Sequence, residues 1–164
     1  MSMLIAARIR NAFPLAAFVL LSGCPPEQHD VQSDMNQGQV MFQTNGHVGF
    51  WNRTPCLSTF RIEDEMQQVV WQIDRMGVND CEQQSEFPIR YGILPRGFRE
   101  TRPAAKLQAS AIYVIIGGDL RTGANYVGGF RIHQGYLRLT SFQWNDPTLQ
   151  NLFRAQMQAA AHGN

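Results

Sequence analysis

Six consecutive apolar residues, Ala111-Ile112-Tyr113-Val114-Ile115-Ile116, constrain this chain most. β-Branched and aromatic side chains favour a strand, and the run is short for a buried helix. Strand side chains alternate between faces, so an unbroken apolar run predicts cover on both sides of a sheet. From residue 38 onward the period is mostly two. Residues 39–44, 48–51, 57–62, 69–73, 87–94, 126–132 and 136–140 read as further strands. Asn45-Gly46, Glu63-Asp64-Glu65 and a Gly-rich stretch from Gly117 to Asn125 read as the turns and loops between them. The end of the chain differs. Asp146 before Pro147 supplies an N-cap and a first-turn proline. Leu149, Leu152, Phe153 and Met157 then recur at helical spacing, which predicts one amphipathic helix from about residue 147 to residue 161. Its polar face holds Gln150, Asn151, Arg154 and Gln158, with a single cation, which suits packing on a sheet better than lying on anionic lipid. The expected fold is mainly β, a single sandwich or small barrel with a C-terminal helix.

The amino terminus has a different character. Arg8 and Arg10 are the only charged side chains among the first 26 residues, and an uncharged apolar stretch follows them. A basic start, a short apolar core and small residues before a cut describe an export signal. The stretch is too short to cross a bilayer core, which needs about 20 apolar residues. It ends in Leu21-Ser22-Gly23-Cys24, which resembles the lipobox of bacterial lipoproteins. That resemblance implies thioether diacylation (palmitate-type) of Cys24, cleavage before it and acylation of the new amino terminus. Pro25 stands where the family's retention signal in some Gram-negative bacteria is Asp, which points to the outer membrane, facing the periplasm.

On this reading residues 1–23 are a lipoprotein signal peptide. Residues 24–37 are the lipidated start and a flexible tether, with a mean reach of roughly 20 Å if disordered. Residues 38–144 form the β domain, and residues 145–164 the helix and tail. Removing Arg8 and Arg10 leaves 12 basic and 13 acidic side chains, so the formal charge moves from +1 to −1. A near-neutral body of 141 residues gives no argument for nucleic-acid binding but is long enough to bury a core. With Cys24 acylated, Cys56 and Cys81 remain. In an oxidising compartment two thiols read most simply as one disulfide. Closing that loop of about 25 residues would remove roughly 3.5 kcal/mol of denatured-state entropy.

Leu107-Gln108-Ala109-Ser110-Ala111-Ile112-Tyr113 resembles the corner before the sixth strand of fibronectin type III and related immunoglobulin-like sandwiches, where a Leu precedes a Tyr by six places. The resemblance implies a Tyr113 hydroxyl bonded back to the corner, and Trp71 in the place of the buried Trp of an earlier strand. The proline usual two places after the Leu is Ala109 here, and Cys56 and Cys81 lack the spacing of the inter-sheet bridge.

Chemistry-bearing motifs are few. His29, His47, His133 and His162 share no predicted element at metal-ligand spacing, and H-E-x-x-H is absent, so no metal is expected. G-x-S-x-G and G-x-G-x-x-G are absent, and no cofactor is expected. Carboxylates gather as Glu63, Asp64 and Glu65, and as Asp80, Glu82 and Glu86 around Cys81. A small envelope hydrolase acting on glycan would need two of them across a cleft. Residues 90–106 are the strongest interaction candidate. Arg90, Arg96, Arg99, Arg102 and Lys106 stand among Tyr91 and Phe98, with Glu100 the only acid, an interface-like composition. The leading expectation is a non-enzymatic envelope lipoprotein that binds an envelope protein or an anionic glycan or lipid, or supports an assembly. The glycan-processing hydrolase is the alternative.

Overall fold

The computed structural model describes residues 27–44, 56–77, 87–134 and 138–162, with side chains through Ala155. Cys24, Cys81, the export signal and the Asn45-Gly46 turn lie outside the described residues. Nine strands precede one helix: β1 (Gln28–Asn36), β2 (Gln39–Thr44), β3 (Leu57–Asp64), β4 (Val69–Arg75), β5 (Ile89–Arg90), β6 (Phe98–Arg102), β7 (Ile112–Asp119), β8 (Asn125–Ile132), β9 (Leu139–Phe142) and α1 (Pro147–His162). The body is mainly β with a C-terminal helix, as alternation and the Asp146-Pro147 start predict.

The strands form one hydrogen-bonded path in the order β5-β2-β1-β8-β7-β3-β4-β6, with β9 also on β8. That path curls around a single core. β1 makes one corner by changing partners. Its residues Gln28 to Asp30 pair in parallel with β8, and Val31 to Asn36 pair antiparallel with β2. Gly128 lets the corner pass, because a Cβ there would run into the Val31 carbonyl.

β7 carries the clearest sequence signal and sits centrally, between β3 and β8. Tyr113 and Ile115 point inward, among Phe42, Phe60, Trp71, Tyr126 and Phe130. Ile112, Val114 and Ile116 point outward, where Leu149, Leu152, Phe153 and Phe142 cover them. The two-faced apolar run is thus covered on one side by the rest of the curled sheet and on the other by α1. A Cβ on Gly129 would come within 2.6 Å of Leu149 Cδ2, so the bare backbone there sets how closely the helix docks. Asp146 caps α1 through its Oδ1, which accepts the Thr148 N–H at 2.7 Å. Tyr113 Oη accepts the Gln108 N–H at 2.6 Å, and Trp71 is fully buried.

Three expectations need correction. The flexible tether over 24–37 does not hold for residues 28–36, which form β1. Val31, Ser33 and Met35 face inward along it while Gln32, Asp34 and Asn36 are exposed. Two apolar residues were too weak a signal, and the pairing with β2 and β8 supplies the rest. A Gln37-Gly38 turn, with φ of 51° and 79°, joins β1 to β2. The long glycine loop after β7 is short. Gly117 and Gly118 belong to the strand, and a Cβ on Gly117 would meet Leu57 Cδ1 and the Tyr126 Cβ, each at 3.2 Å. Residues 98–102 form the edge strand β6, and the expected strand over 87–94 shrinks to β5. A Phe-Arg-Glu-Thr-Arg segment shows no apolar alternation, yet it pairs along β4.

Candidate functional site

The curl brings the two ends of the path together. Tyr91, directly after β5, donates its hydroxyl to Ala105 O at 2.7 Å, and lies 3.3 Å from Val70 O. Its ring packs edge-on to Trp71 at 5.3 Å. Burial first, and then the nearby Tyr113, push the Tyr91 phenol above its usual value, so it stays a neutral donor. Trp71 in turn donates its indole N–H to Glu100 on β6 at 2.9 Å. These bonds make a seam between the β5 and β6 edges. A groove of about 370 Å³ opens at one end of it, lined by Met35, Val40, Tyr91, Lys106, Leu107 and Ile132 among others.

The seven residues singled out between positions 90 and 106 divide here. Phe98 is core, with the Arg75 guanidinium 4.7 Å over its ring. Tyr91 is the seam's fastening and one wall of the groove, with Lys106 beside it. Arg90 is exposed on β5, Arg96 in the turn before β6, and Arg99 and Arg102 along β6. Arg102 Nε donates to Val69 O at 3.2 Å, while Arg99 acts at a distance on Asp74. Two aromatic members are therefore structural, and the five cations are exposed on or beside β5 and β6. Among the described residues none of the five is in a salt bridge with a carboxylate, whereas Arg61 and Glu63 pair at 2.8 Å.

The acidic set is structural where it is described. Asp64 Oδ1 accepts the N–H groups of Met66 and Gln68 and so shapes the β3–β4 turn. Glu63 holds Arg61, and Glu65 is exposed in the turn. Asp80, Glu82 and Glu86 lie outside the described residues. His133 shares a 2.7 Å bond with the Thr140 hydroxyl, and His29 stands 3.5 Å from Glu27. Among the described residues no three His, Cys, Asp or Glu side chains converge as a metal site, and no helix is long and apolar enough to cross a membrane.

Sequence reasoning missed Asp119, at the end of β7. It is buried, and five donors meet its two oxygens. Oδ2 accepts from the Cys56 N–H at 2.9 Å and the Tyr126 hydroxyl at 2.8 Å. Oδ1 accepts from the Arg121 N–H, the Thr122 N–H and the Thr122 hydroxyl. Burial alone would raise its pKa. The bonds from Cys56, Thr122, Tyr126 and Arg121 outweigh that and hold it below the ordinary carboxylate value. Tyr126 moves the opposite way, raised by burial and by the bond to this carboxylate. Asp119 thus stays charged and ties the β7–β8 turn to the start of β3. The Asp-x-x-Thr-Gly spacing of the turn was its only trace in the sequence.

A second, polar cleft lies elsewhere, between β1, β2, β9 and the start of α1, with a volume of about 680 Å³. Comparison with protein-family models, curated proteins and solved structures gives no match.

Proposed function

We propose that this chain is a lipid-anchored protein of a bacterial envelope, outer-membrane in address by its Pro25, whose β body is a non-enzymatic binding module. The anchor rests on the basic start, the apolar core and the Leu21-Ser22-Gly23-Cys24 box. Three acyl chains would make detachment negligible, since each buried methylene adds about 0.8 kcal/mol. A Cys56–Cys81 bridge belongs to the same reading. Cys56 is fully buried, and acylation of Cys24 leaves Cys81 as the remaining thiol to pair with it.

The binding face is the seam, and one observation carries it. Arg90, Arg96, Arg99, Arg102 and Lys106 are exposed and outside any salt bridge among the described residues. Cations on an edge strand also discourage edge-to-edge pairing. Five of them along the seam exceed that need and complement an anionic partner, such as an acidic protein face, an anionic glycan or a phospholipid headgroup.

The test uses a triple variant, Arg96→Gln/Arg99→Gln/Arg102→Gln, of the purified full-length protein. Binding to an anionic polysaccharide, to vesicles containing acidic phospholipid and to envelope proteins is measured against salt. The expected result is loss of at least one of these interactions with an unchanged melting temperature. Unaltered binding on all three arms overturns the seam. Separately, Cys24→Ala is expected to abolish acyl labelling and leave an unprocessed precursor, and normal labelling of that variant overturns the anchor.

A further inference from the structure

We propose that the cleft between β1, β2, β9 and the start of α1 is a binding site for a neutral oligosaccharide. Its volume of about 680 Å³ falls within the range of ordinary small-ligand sites. The side chains around it are what sets its chemistry. The amides of Gln32, Gln43, Gln143 and Asn145 converge on it, together with the carboxylates of Asp34 and Asp146. An amide offers donors and an acceptor side by side, and a carboxylate accepts only. That set matches vicinal sugar hydroxyls, each of which both donates and accepts. Among the described residues no cation lines the cleft, which disfavours phosphate or an anionic glycan. Pro147 is its only apolar side chain among the described residues, which disfavours an acyl chain.

The groups are free to bind. Among the described residues none of the four amides makes a side-chain hydrogen bond. The frame around these groups is fixed in advance. The Ser33 N–H donates to Ser141 Oγ at 2.9 Å and locks β1 to β9. The Trp144 N–H donates to Asp30 Oδ1 at 2.7 Å, and the Gln150 amide holds the Trp144 carbonyl at 2.8 Å. Asp146 is held by its cap to α1 and by its N–H to Gln143 O. The loop bearing Gln143 and Asn145 is therefore pinned at both ends, and binding would cost little ordering.

The test is calorimetric titration of the full-length protein, kept in a detergent without sugar headgroups, with chitotetraose, maltotetraose and cellotetraose as neutral probes and tetragalacturonate as the anionic one. At least one neutral probe is expected to bind with millimolar or tighter affinity, and the anionic probe more weakly. Gln43→Ala and Asn145→Ala are each expected to weaken binding about fivefold, the scale of one lost hydrogen bond, without moving the melting temperature. The seam variant Arg96→Gln/Arg99→Gln/Arg102→Gln is expected to bind the neutral probe normally, so this site and the seam stand or fall apart. Failure of all three neutral probes, or undiminished binding by a Gln43→Ala/Asn145→Ala double variant, overturns the proposal.

Discussion

Asp119 and the five seam cations are opposite uses of charge in one small body. Asp119 is buried and meets five donors, so its charge is spent inside the fold. Arg90, Arg96, Arg99, Arg102 and Lys106 are exposed and form no salt bridge among the described residues. A satisfied buried charge fixes geometry, and its loss leaves its donors stranded. An unpaired exposed charge contributes almost nothing to stability and remains available to a partner. The β7–β8 end is thus part of the frame and the seam is the proposed recognition face, a contrast that measurement can break.

The largest effect belongs to Asp119. Asp119→Ala would strand the Cys56, Arg121 and Thr122 N–H groups and the Tyr126 hydroxyl in a buried place. The expected destabilisation is about 3–5 kcal/mol, read by urea unfolding. A change below about 1 kcal/mol would mean that the turn closes without it. The pH dependence carries the same argument. A carboxylate held below its unfolded value of 3.8 contributes stability that is present above that pH and lost as pH falls through the folded value. Acid unfolding below about pH 4 is therefore expected in the parent and flatter in Asp119→Asn, which has no proton to take up.

Next comes the helix. Leu149 is fully buried over Gly129, Val114 and Phe142. Leu149→Ala is expected to cost about 2–4 kcal/mol, by lost transfer energy and the cavity left behind. This helix was legible in the sequence because its signals are local. A cap, a first-turn proline and a period near four all fall within a dozen residues of Asp146. β7 was legible for a related reason, since β-branched density names a strand without reference to its neighbours. β1 and β6 were not. Each has too few apolar residues to declare itself, and each is a strand because β2, β8 or β4 offers it a backbone to pair with. The proposed binding residues follow the same division. The cations between positions 90 and 106 could be counted in the sequence. The division of the seven candidates there into core, seam and edge, and the convergence of Gln32, Gln43, Gln143 and Asn145, depend on how the sheet curls. Asp119 was invisible for the same reason, as its Cys56 donor lies 63 positions away.

Tyr91 tests the boundary between the two regions. It lies within the interaction candidate, but its hydroxyl is used inside the fold. Tyr91→Phe keeps the ring on Trp71 and removes the bonds to Ala105 and Val70. The expected loss is about 1 kcal/mol, with the Ala105 and Val70 carbonyls rehydrated at the half-open seam. Binding at the seam should persist in this variant when the partner is anionic, since the cations are untouched.

The smallest expected stability effect is the most informative. Arg96→Gln/Arg99→Gln/Arg102→Gln should change unfolding free energy by less than about 0.5 kcal/mol, because exposed cations contribute little and only Arg102 has a backbone bond to give up. Arg99 faces Asp74, whose carboxyl is held low chiefly by bonds from Thr59, Thr101 and Gln72 against the pull of burial, so removing the distant cation should leave that carboxyl ionised at neutral pH. A loss of 2 kcal/mol or more would place these arginines with Asp119, as parts of the frame. A stable variant that has lost its anionic partner would keep them where the geometry puts them, on a face whose charge the fold itself does not use.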